Sequence, residues 1–130
     1  MRKDGPLWAL GAMSGTSLDG VDAATLYTDG HTISAFGPSG YRPYTAKEQT
    51  LIRAAFGQWP GDADVAGAAE TVERAHVELL SRFAGVDILG FHGQTLAHDP
   101  AVRGTHQCGD GALLAQVLGL PTIWDFRSSD

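Results

Sequence analysis

The stretch Gly11–Asp22 reads G-A-M-S-G-T-S-L-D-G-V-D and separates two apolar runs that each suit a buried strand. The run before it is G-P-L-W-A-L, and the run after it is V-D-A-A-T-L-Y. Glycines and hydroxyl side chains in such a turn can bring several N–H groups and oxygens to one point, which is the geometry that binds an anion. Gly15 and Gly20 permit a positive φ and close approach of a ligand to the backbone. From this stretch alone, an anion-binding turn and a polar hairpin without a ligand are equally well supported.

The composition indicates one globular domain in a reducing compartment. The 130 residues, 43% of them hydrophobic and 18% charged, are enough to form a core. A net charge of −6 argues against a general binder of nucleic acid or anionic membranes. The single cysteine, Cys108, excludes an internal disulfide. Because the chain has neither a membrane-length apolar run nor an adequate signal-peptide core, we expect a cytoplasmic protein.

Hydrophobic periodicity predicts three strands, two helices, a strand, a short strand, a helix and a last strand. The strands are expected at Leu7–Met13, Val21–Thr28, His31–Phe36, Val86–His92, Thr105–Cys108 and Pro121–Phe126. The helices are expected at Ala46–Phe56, from a cap at Asp62 or Asp64 to a stop at Gly85, and at Gly111–Leu118. Polar loops are expected at Gly37–Pro43 and Gly93–Arg103.

Local signals support several of these elements. The Asp29-Gly30 pair is typical of a hairpin, and T-A-K-E from Thr45 is a capping box. The first helix should bury Leu51, Ile52, Ala55 and Phe56. On the second helix, His76 should be packed or half-exposed, and Cys108 should be a small buried hydrophobe.

This order of elements predicts an α/β fold: a mixed sheet with helices packed on its faces. Ligands of such sheets gather at strand ends and turns. The polar turns after Met13, Phe91 and Trp124 are therefore expected on one edge of the sheet.

The sequence lacks the common phosphate-loop, dinucleotide and nucleophile-elbow motifs. Ser14 and Ser17, without an identified base, are expected to form hydrogen bonds and not to act as nucleophiles. His92, Gln94 and Thr95 follow a predicted strand, where their donors and acceptors could bind sugar hydroxyls. Alternatively, His92 caps the loop locally.

Two further groups leave alternatives open. His98, Asp99 and His106 lie close in sequence, but their spacing matches no zinc pattern, so ordinary loop histidines are favoured. Arg127 could bind a carboxylate in bidentate fashion, or it could form a structural salt bridge with Asp125 or Asp130.

Four stretches together resemble the anhydro-N-acetylmuramic acid kinase family. They are G-A-M-S-G-T-S-L-D-G-V-D, G-F-H-G-Q-T-L-A-H-D-P, T-H-Q-C-G-D-G-A-L-L-A and D-F-R-S-S-D, and they follow in the family's order. The resemblance implies the superfamily of sugar kinases, actin and heat-shock chaperones, in which two ribonuclease H-like domains enclose a nucleotide cleft. Residues 1–130 would be the first such domain, truncated and without the second.

The resemblance also implies a reaction in cell-wall (peptidoglycan) recycling and amino-sugar metabolism. Water opens the 1,6-anhydro ring of anhydro-N-acetylmuramic acid while ATP, with Mg²⁺, phosphorylates O6, and N-acetylmuramate 6-phosphate and ADP result. The implied phosphate-binding residues are Ser14, Gly15, Thr16, Ser17, Asp19 and Gly20. The implied sugar-binding residues are His92, Gln94, Thr95 and Arg127. Since Ala12 stands where many superfamily members carry an aspartate, metal contacts would come from Asp19 or Asp22.

The family continues beyond this sequence with G-G-Q-G-A-P-L and then a segment F-D-[TC]-G-P-G-N, whose aspartate is taken as the general base. The catalytic base is thus expected beyond Asp130, and the chain alone should be inactive and, with an exposed apolar interface, poorly soluble. The implied partners are the amino sugar and ATP, with no nucleic acid and no membrane, and a homodimer of the complete protein is compatible with the resemblance. A non-catalytic sugar- or partner-binding half-domain is the alternative. A metal-dependent hydrolase using His92, His98 and His106 is a weaker one.

Overall fold

In a computed structural model of the protein, which describes residues 5–99 and 101–125, six strands form one mixed sheet. The strands are β1 Leu7–Ser14, β2 Gly20–Thr28, β3 Ile33–Pro43, β4 Ile88–Asp99, β5 Gly104–Cys108 and β6 Thr122–Trp124. The helices are α1 Ala46–Ala54, α2 Val65–Leu80 and α3 Gly111–Leu118. The order of elements is the one that periodicity predicts.

The sheet brings the ends of two strands to the middle of a third. Its order is β3-β2-β1-β4-β5, and β6 pairs with β4. The first three strands form an antiparallel meander, whereas β1 and β6 both run parallel to β4. Ser14, the last residue of β1, pairs with Gln94, and Trp124, the last residue of β6, pairs with Phe91. Residues 92–95 of β4 therefore lie beside the ends of β1 and β6. This agrees with the prediction that the segments after Met13, Phe91 and Trp124 lie on one edge of the sheet.

The third strand is longer than predicted, and the prediction of a loop at Gly37–Pro43 is wrong. β3 pairs with β2 up to Pro43. Because β3 is the outermost strand, Pro38 can lie within it without removing a donor that the sheet needs. A Cβ at Gly37 would lie 2.4 Å from Thr25 Oγ1, so a glycine there permits close packing and does not signal a loop.

The loop expected at Gly93–Arg103 is also wrong over most of its length. β4 continues to Asp99 and forms an antiparallel hairpin with β5. Gly93 has a φ of +82°, and a Cβ there would lie 2.7 Å from the Cys108 carbonyl oxygen. This glycine therefore lets β4 continue past the close approach of β5, although its residue type suggested a turn.

The helices follow their predicted signals with shifted ends. The capping box of Thr45 and Glu48 is present, and α3 has its cap at Asp110 and a left-handed Gly119. α1 ends two residues early, and α2 ends at Leu80, before the predicted stop at Gly85. Asp64 is the N-cap of α2, without a side-chain hydrogen bond to the helix.

The core lies between the sheet and the helices. Leu10, Val21, Ile52, Val72, Leu79, Leu80, Leu89, Phe91 and Leu114 are among its members. The prediction that Leu51 and Phe56 are buried is wrong, since their side chains are 42% and 37% exposed. Cys108 is buried as predicted, and His76 is fully buried. The opposite face of the sheet is open in the described part of the chain: Gly11, Met13, Asp22 and Ala24 alternate with buried neighbours and are exposed. The predicted α/β class, a mixed sheet with helices, is confirmed, and it is consistent with an actin-like, ribonuclease H-like domain.

Candidate functional site

A tight turn closes the segment between β1 and β2. The Leu18 N–H donates to the Gly15 carbonyl at 3.1 Å. Leu18 has a φ of +58°, which is unusual for a residue other than glycine, and its side chain is completely buried. Burial of the leucine offsets the cost of about 1–2 kcal/mol for the left-handed conformation. Leu18 thus anchors the turn in the core, a role that the residue pattern did not indicate.

The two glycines of this segment play other parts than expected. Positive φ belongs to Leu18 and not to Gly15 or Gly20. A Cβ at Gly20 would lie 2.4 Å from the Arg42 carbonyl oxygen, so Gly20 permits close packing of β3. A Cβ at Gly15 would meet only Ser17 Oγ, at 3.9 Å, which is an ordinary van der Waals contact.

The outer part of the turn offers free donors. Thr16, Ser17 and Asp19 are exposed. The backbone N–H groups of Thr16 and Ser17 find no acceptor in the part of the chain that the structure describes. Two neighbouring amides beside two hydroxyl side chains can bind the oxygens of an anion.

Two of the predicted site residues contact each other in the interior. The side chains of Ser14 and Gln94 are buried, and Ser14 Oγ donates to Gln94 Oε1. Ser14 Oγ also lies 2.8 Å from the hydroxyl of Tyr44. These side chains join β1 to β4 beneath the turn, so the predicted contact of Ser14 and Gln94 with a ligand would have to involve their backbone.

The other two residues of the β4 segment are brought together by a glutamine. Gln107 Nε2 lies 3.1 Å from each ring nitrogen of His92 and 3.2 Å from Thr95 Oγ1. All three side chains are half-buried. The cluster places several donors and acceptors on one surface, as recognition of hydroxyl groups requires. Gln107 was missed as a site residue, although it lies inside the quoted stretch T-H-Q-C-G-D-G.

The two predicted metal-binding carboxylates lie near one tyrosine. Desolvation and the negative charges of Asp19 and Asp22 raise the pKa of Tyr41. Asp22 is in register with Tyr41 on the neighbouring strand. Among the described residues no group of three or more His, Cys, Asp and Glu side chains could hold a metal ion. Two exposed carboxylates nevertheless fit Mg²⁺, which commonly takes one or two carboxylates and completes its shell with water and phosphate oxygens.

The histidines behind the hydrolase alternative make other contacts. His98 Nδ1 lies 2.6 Å from Thr105 Oγ1, and His106 Nδ1 donates to the Gln58 carbonyl oxygen at 2.9 Å. The His106 ring also stacks on Trp59, 6.0 Å between centroids. These contacts favour ordinary structural histidines.

Arg127 and Asp130 lie outside the described residues.

An open groove runs along the uncovered face of the sheet. Its volume is about 990 Å³, and its lining includes Met13, Ala24, Tyr41, His92 and Ile123. The lining is mostly apolar, and its polar members include Asp22 and His92. In the described residues, no helix is long and apolar enough to cross a membrane.

Comparison with known proteins identifies the family. The family model for anhydro-N-acetylmuramic acid kinase matches residues 8–130. The anhydro-N-acetylmuramic acid kinase of Cereibacter sphaeroides is 62% identical over 130 residues, which are 100% of this chain and 35% of that protein. That of a Ruegeria species is 60% identical over 98% of this chain and 34% of its own length. The chain thus spans about a third of these curated relatives. By the family match and these identities, the chain belongs to the anhydro-N-acetylmuramic acid kinase family.

Proposed function

We propose that the chain supplies the phosphate-binding turn and part of the sugar-binding surface of an ATP-dependent kinase for 1,6-anhydro-N-acetylmuramic acid. The observation that carries the proposal is the position of the Gly15–Leu18 turn beside residues 92–95 at the ends of β1 and β6. A phosphate on the turn and a sugar on the His92 cluster would then be neighbours, as phosphoryl transfer requires. The family membership supports the kinase class.

In the proposed reaction, the N–H groups of Thr16 and Ser17 donate to phosphate oxygens of ATP. His92, Thr95 and Gln107 hold hydroxyl groups of the sugar. One water adds to C1 as the bond from C1 to O6 breaks, and O6 takes the γ-phosphoryl group, so that N-acetylmuramate 6-phosphate and ADP result. Asp19 and Asp22 would hold Mg²⁺, which neutralises charge on the phosphates when it is bound. The proton of the water goes to a general base that we place outside residues 1–130.

The same proposal makes the chain the first of two domains of a cytoplasmic enzyme of peptidoglycan recycling. Its partners are ATP and the amino sugar, and the complete protein could form a homodimer. The alternative is a half-domain that binds a sugar or a partner without catalysis.

The test is release of ADP in the presence of anhydro-N-acetylmuramic acid. It compares the 130-residue chain with a chimera in which this chain replaces the matching part of the Cereibacter sphaeroides relative. We expect sugar-dependent ADP from the chimera and none from the chain alone. An inactive chimera, next to an active parent enzyme, would contradict the proposed function and favour the half-domain.

A further inference from the structure

One residue outside the turn holds both ends of the Ser14–Asp19 segment. The hydroxyl of Tyr44 lies 2.8 Å from Ser14 Oγ, where the segment begins. The backbone N–H of Tyr44 donates to the Asp19 carbonyl at 2.9 Å, where the segment ends. Tyr44 itself is buried, so neither contact competes with water.

A second residue, Gln49, holds the Ser14–Asp19 segment at Leu18. Gln49, in the second turn of α1, donates from Nε2 to the Leu18 carbonyl at 2.8 Å. Leu18 is the residue with the left-handed backbone. A hydrogen bond to that carbonyl favours the orientation of the peptide group that the turn needs.

In the series of hydrogen bonds beneath the turn, the donor and the acceptor of each bond can be assigned. Ser14 Oγ carries a single proton and donates it to Gln94 Oε1, so it must accept from the Tyr44 hydroxyl. Gln94 Nε2 then donates to the Thr95 carbonyl at 3.1 Å. Tyr44 must be protonated to begin this series, and burial raises its pKa to about 12. The series joins the turn to β4 through groups that are all buried and paired.

We propose that Tyr44 is a positioning residue for the phosphate of ATP, with Gln49 as its second support. It holds Ser14 and Asp19 so that the free N–H groups of Thr16 and Ser17 keep the geometry that receives phosphate oxygens. This inference rests on the proposed function. Tyr44 and Gln49 do not touch the ligand; they act through the backbone of the turn.

The test uses Tyr44→Phe in the chimera, since phenylalanine keeps the ring and removes only the donor. Loss of one buried hydrogen bond should raise the KM for ATP roughly five- to tenfold. The KM for the anhydro sugar should change less than twofold, because Gln107 contacts the side chains of His92 and Thr95 and Tyr44 does not. Gln49→Ala should act in the same direction. Tyr27→Phe is the matched control, since Tyr27 packs on Trp8 and forms no hydrogen bond to the turn, and it should leave both KM values unchanged.

A purely structural role predicts something different. In that case Tyr44→Phe lowers the melting temperature but leaves the KM for ATP at the control's value, and this result would overturn the proposal. If the unmodified chimera releases no ADP, the proposed function fails and the turn is tested separately. Inorganic phosphate is then titrated into the 130-residue chain while the amide NMR signals of Thr16 and Ser17 are followed. Weaker phosphate binding by Tyr44→Phe supports the positioning role, and equal binding, or no shift in the unmodified chain, overturns it.

Discussion

At the scale of single residues, Gly20 and Gly15 differ in what surrounds them, although both seemed to serve the same turn. A Cβ on Gly20 would meet backbone atoms of β3 at 2.4 and 2.8 Å, which cannot easily move. Gly20→Ala should therefore lower the free energy of unfolding by about 1–3 kcal/mol. Gly15→Ala, whose Cβ would meet only Ser17 Oγ at 3.9 Å, should change it by less than about 0.5 kcal/mol. Urea unfolding of the two variants checks this, and equal effects would show that the packing at Gly20 is not as described.

His76 makes the stability of the chain depend on pH. Its Nδ1 lies 2.7 Å from the Val72 carbonyl, which can only accept, so Nδ1 carries the proton and Nε2 is a bare acceptor. Nε2 is buried without a hydrogen-bond partner among the described residues, and the ring packs edge-to-face on Phe91 at 4.8 Å. Burial lowers the pKa of His76 to about 4 from 6.5. The folded chain therefore resists protonation there, whereas the unfolded chain does not.

The difference between the folded and unfolded pKa of His76 sets the direction in which stability changes with pH. Between pH 6.5 and 4 the unfolded state binds the proton and the folded state does not, so stability falls as pH is lowered through this window. From pH 7 to pH 5 the loss due to His76 should be about 2 kcal/mol. Urea unfolding at both pH values should show it, and His76→Leu should remove most of it. An equal loss in the variant would contradict the assignment to His76.

Residue types predicted the exposed residues of the site better than the buried residues beneath them. Thr16, Ser17 and Asp19 are exposed as a binding turn requires, while Ser14 and Gln94 turned out to be buried. Nothing local distinguishes a serine that faces a ligand from one that bonds to a glutamine 80 positions later. Tyr44 was missed for the same reason, since its contact with Ser14 joins residues 30 positions apart. Gln107 was missed because its contacts with His92 and Thr95 depend on the hairpin of β4 and β5, part of which was predicted as a loop.

At the scale of elements, Arg42 joins the edge strand to two helices. Its guanidinium forms a paired contact with Glu48 of α1, with Nη2 to Oε2 at 2.9 Å, and bonds Glu78 of α2 at 2.8–2.9 Å. The side chains of Arg42 and Glu48 are only 14% and 17% exposed. The guanidinium lowers the pKa of Glu48 from its usual value near 4.5. This pairing places α1, and with it Tyr44 and Gln49, against the turn.

Arg42→Met should lower the free energy of unfolding by about 1–3 kcal/mol at pH 7, since Glu48 loses its partner while half-buried. A carboxyl with a depressed pKa stabilises above its unfolded value and loses that effect as pH falls through its folded value. The difference between variant and parent should thus shrink below pH 4.5. Arg74→Met removes an exposed pair with Glu70, 63% and 69% exposed, and should cost less than about 0.5 kcal/mol. Equal costs for both variants would refute the role of Arg42.

Element order was predictable because caps and periodicity are local signals, as Thr45 and Asp110 illustrate. Strand lengths were not. Pro38 and Gly93 look like loop residues, yet the edge position of β3 and the close approach of β5 accommodate them inside strands. Such tolerance depends on the neighbouring strand, which the residues themselves do not reveal.

At the scale of the whole molecule, the open groove should cause self-association of the 130-residue chain. Met13 and Ile123, which line it, are 46% and 53% exposed. A charge on this face should oppose burial against a second molecule. Sedimentation velocity should show association of the parent chain and a shift to monomer for Met13→Lys or Ile123→Lys. Val102→Lys changes the net charge equally at an 81% exposed position outside the groove, and it should still associate. A parent chain that stays monomeric at high concentration would contradict the expectation.

We propose that this chain, completed by the rest of a family member, takes part in opening an anhydro sugar and phosphorylating it. The most direct measurement is mass spectrometry of the sugar product formed by the chimera from ATP and anhydro-N-acetylmuramic acid in ¹⁸O-labelled water. We expect one product that has gained one phosphoryl group and one water with its labelled oxygen, in equal amount to the ADP released. ADP without a phosphorylated sugar, or a phosphorylated sugar that has gained no water, would contradict it.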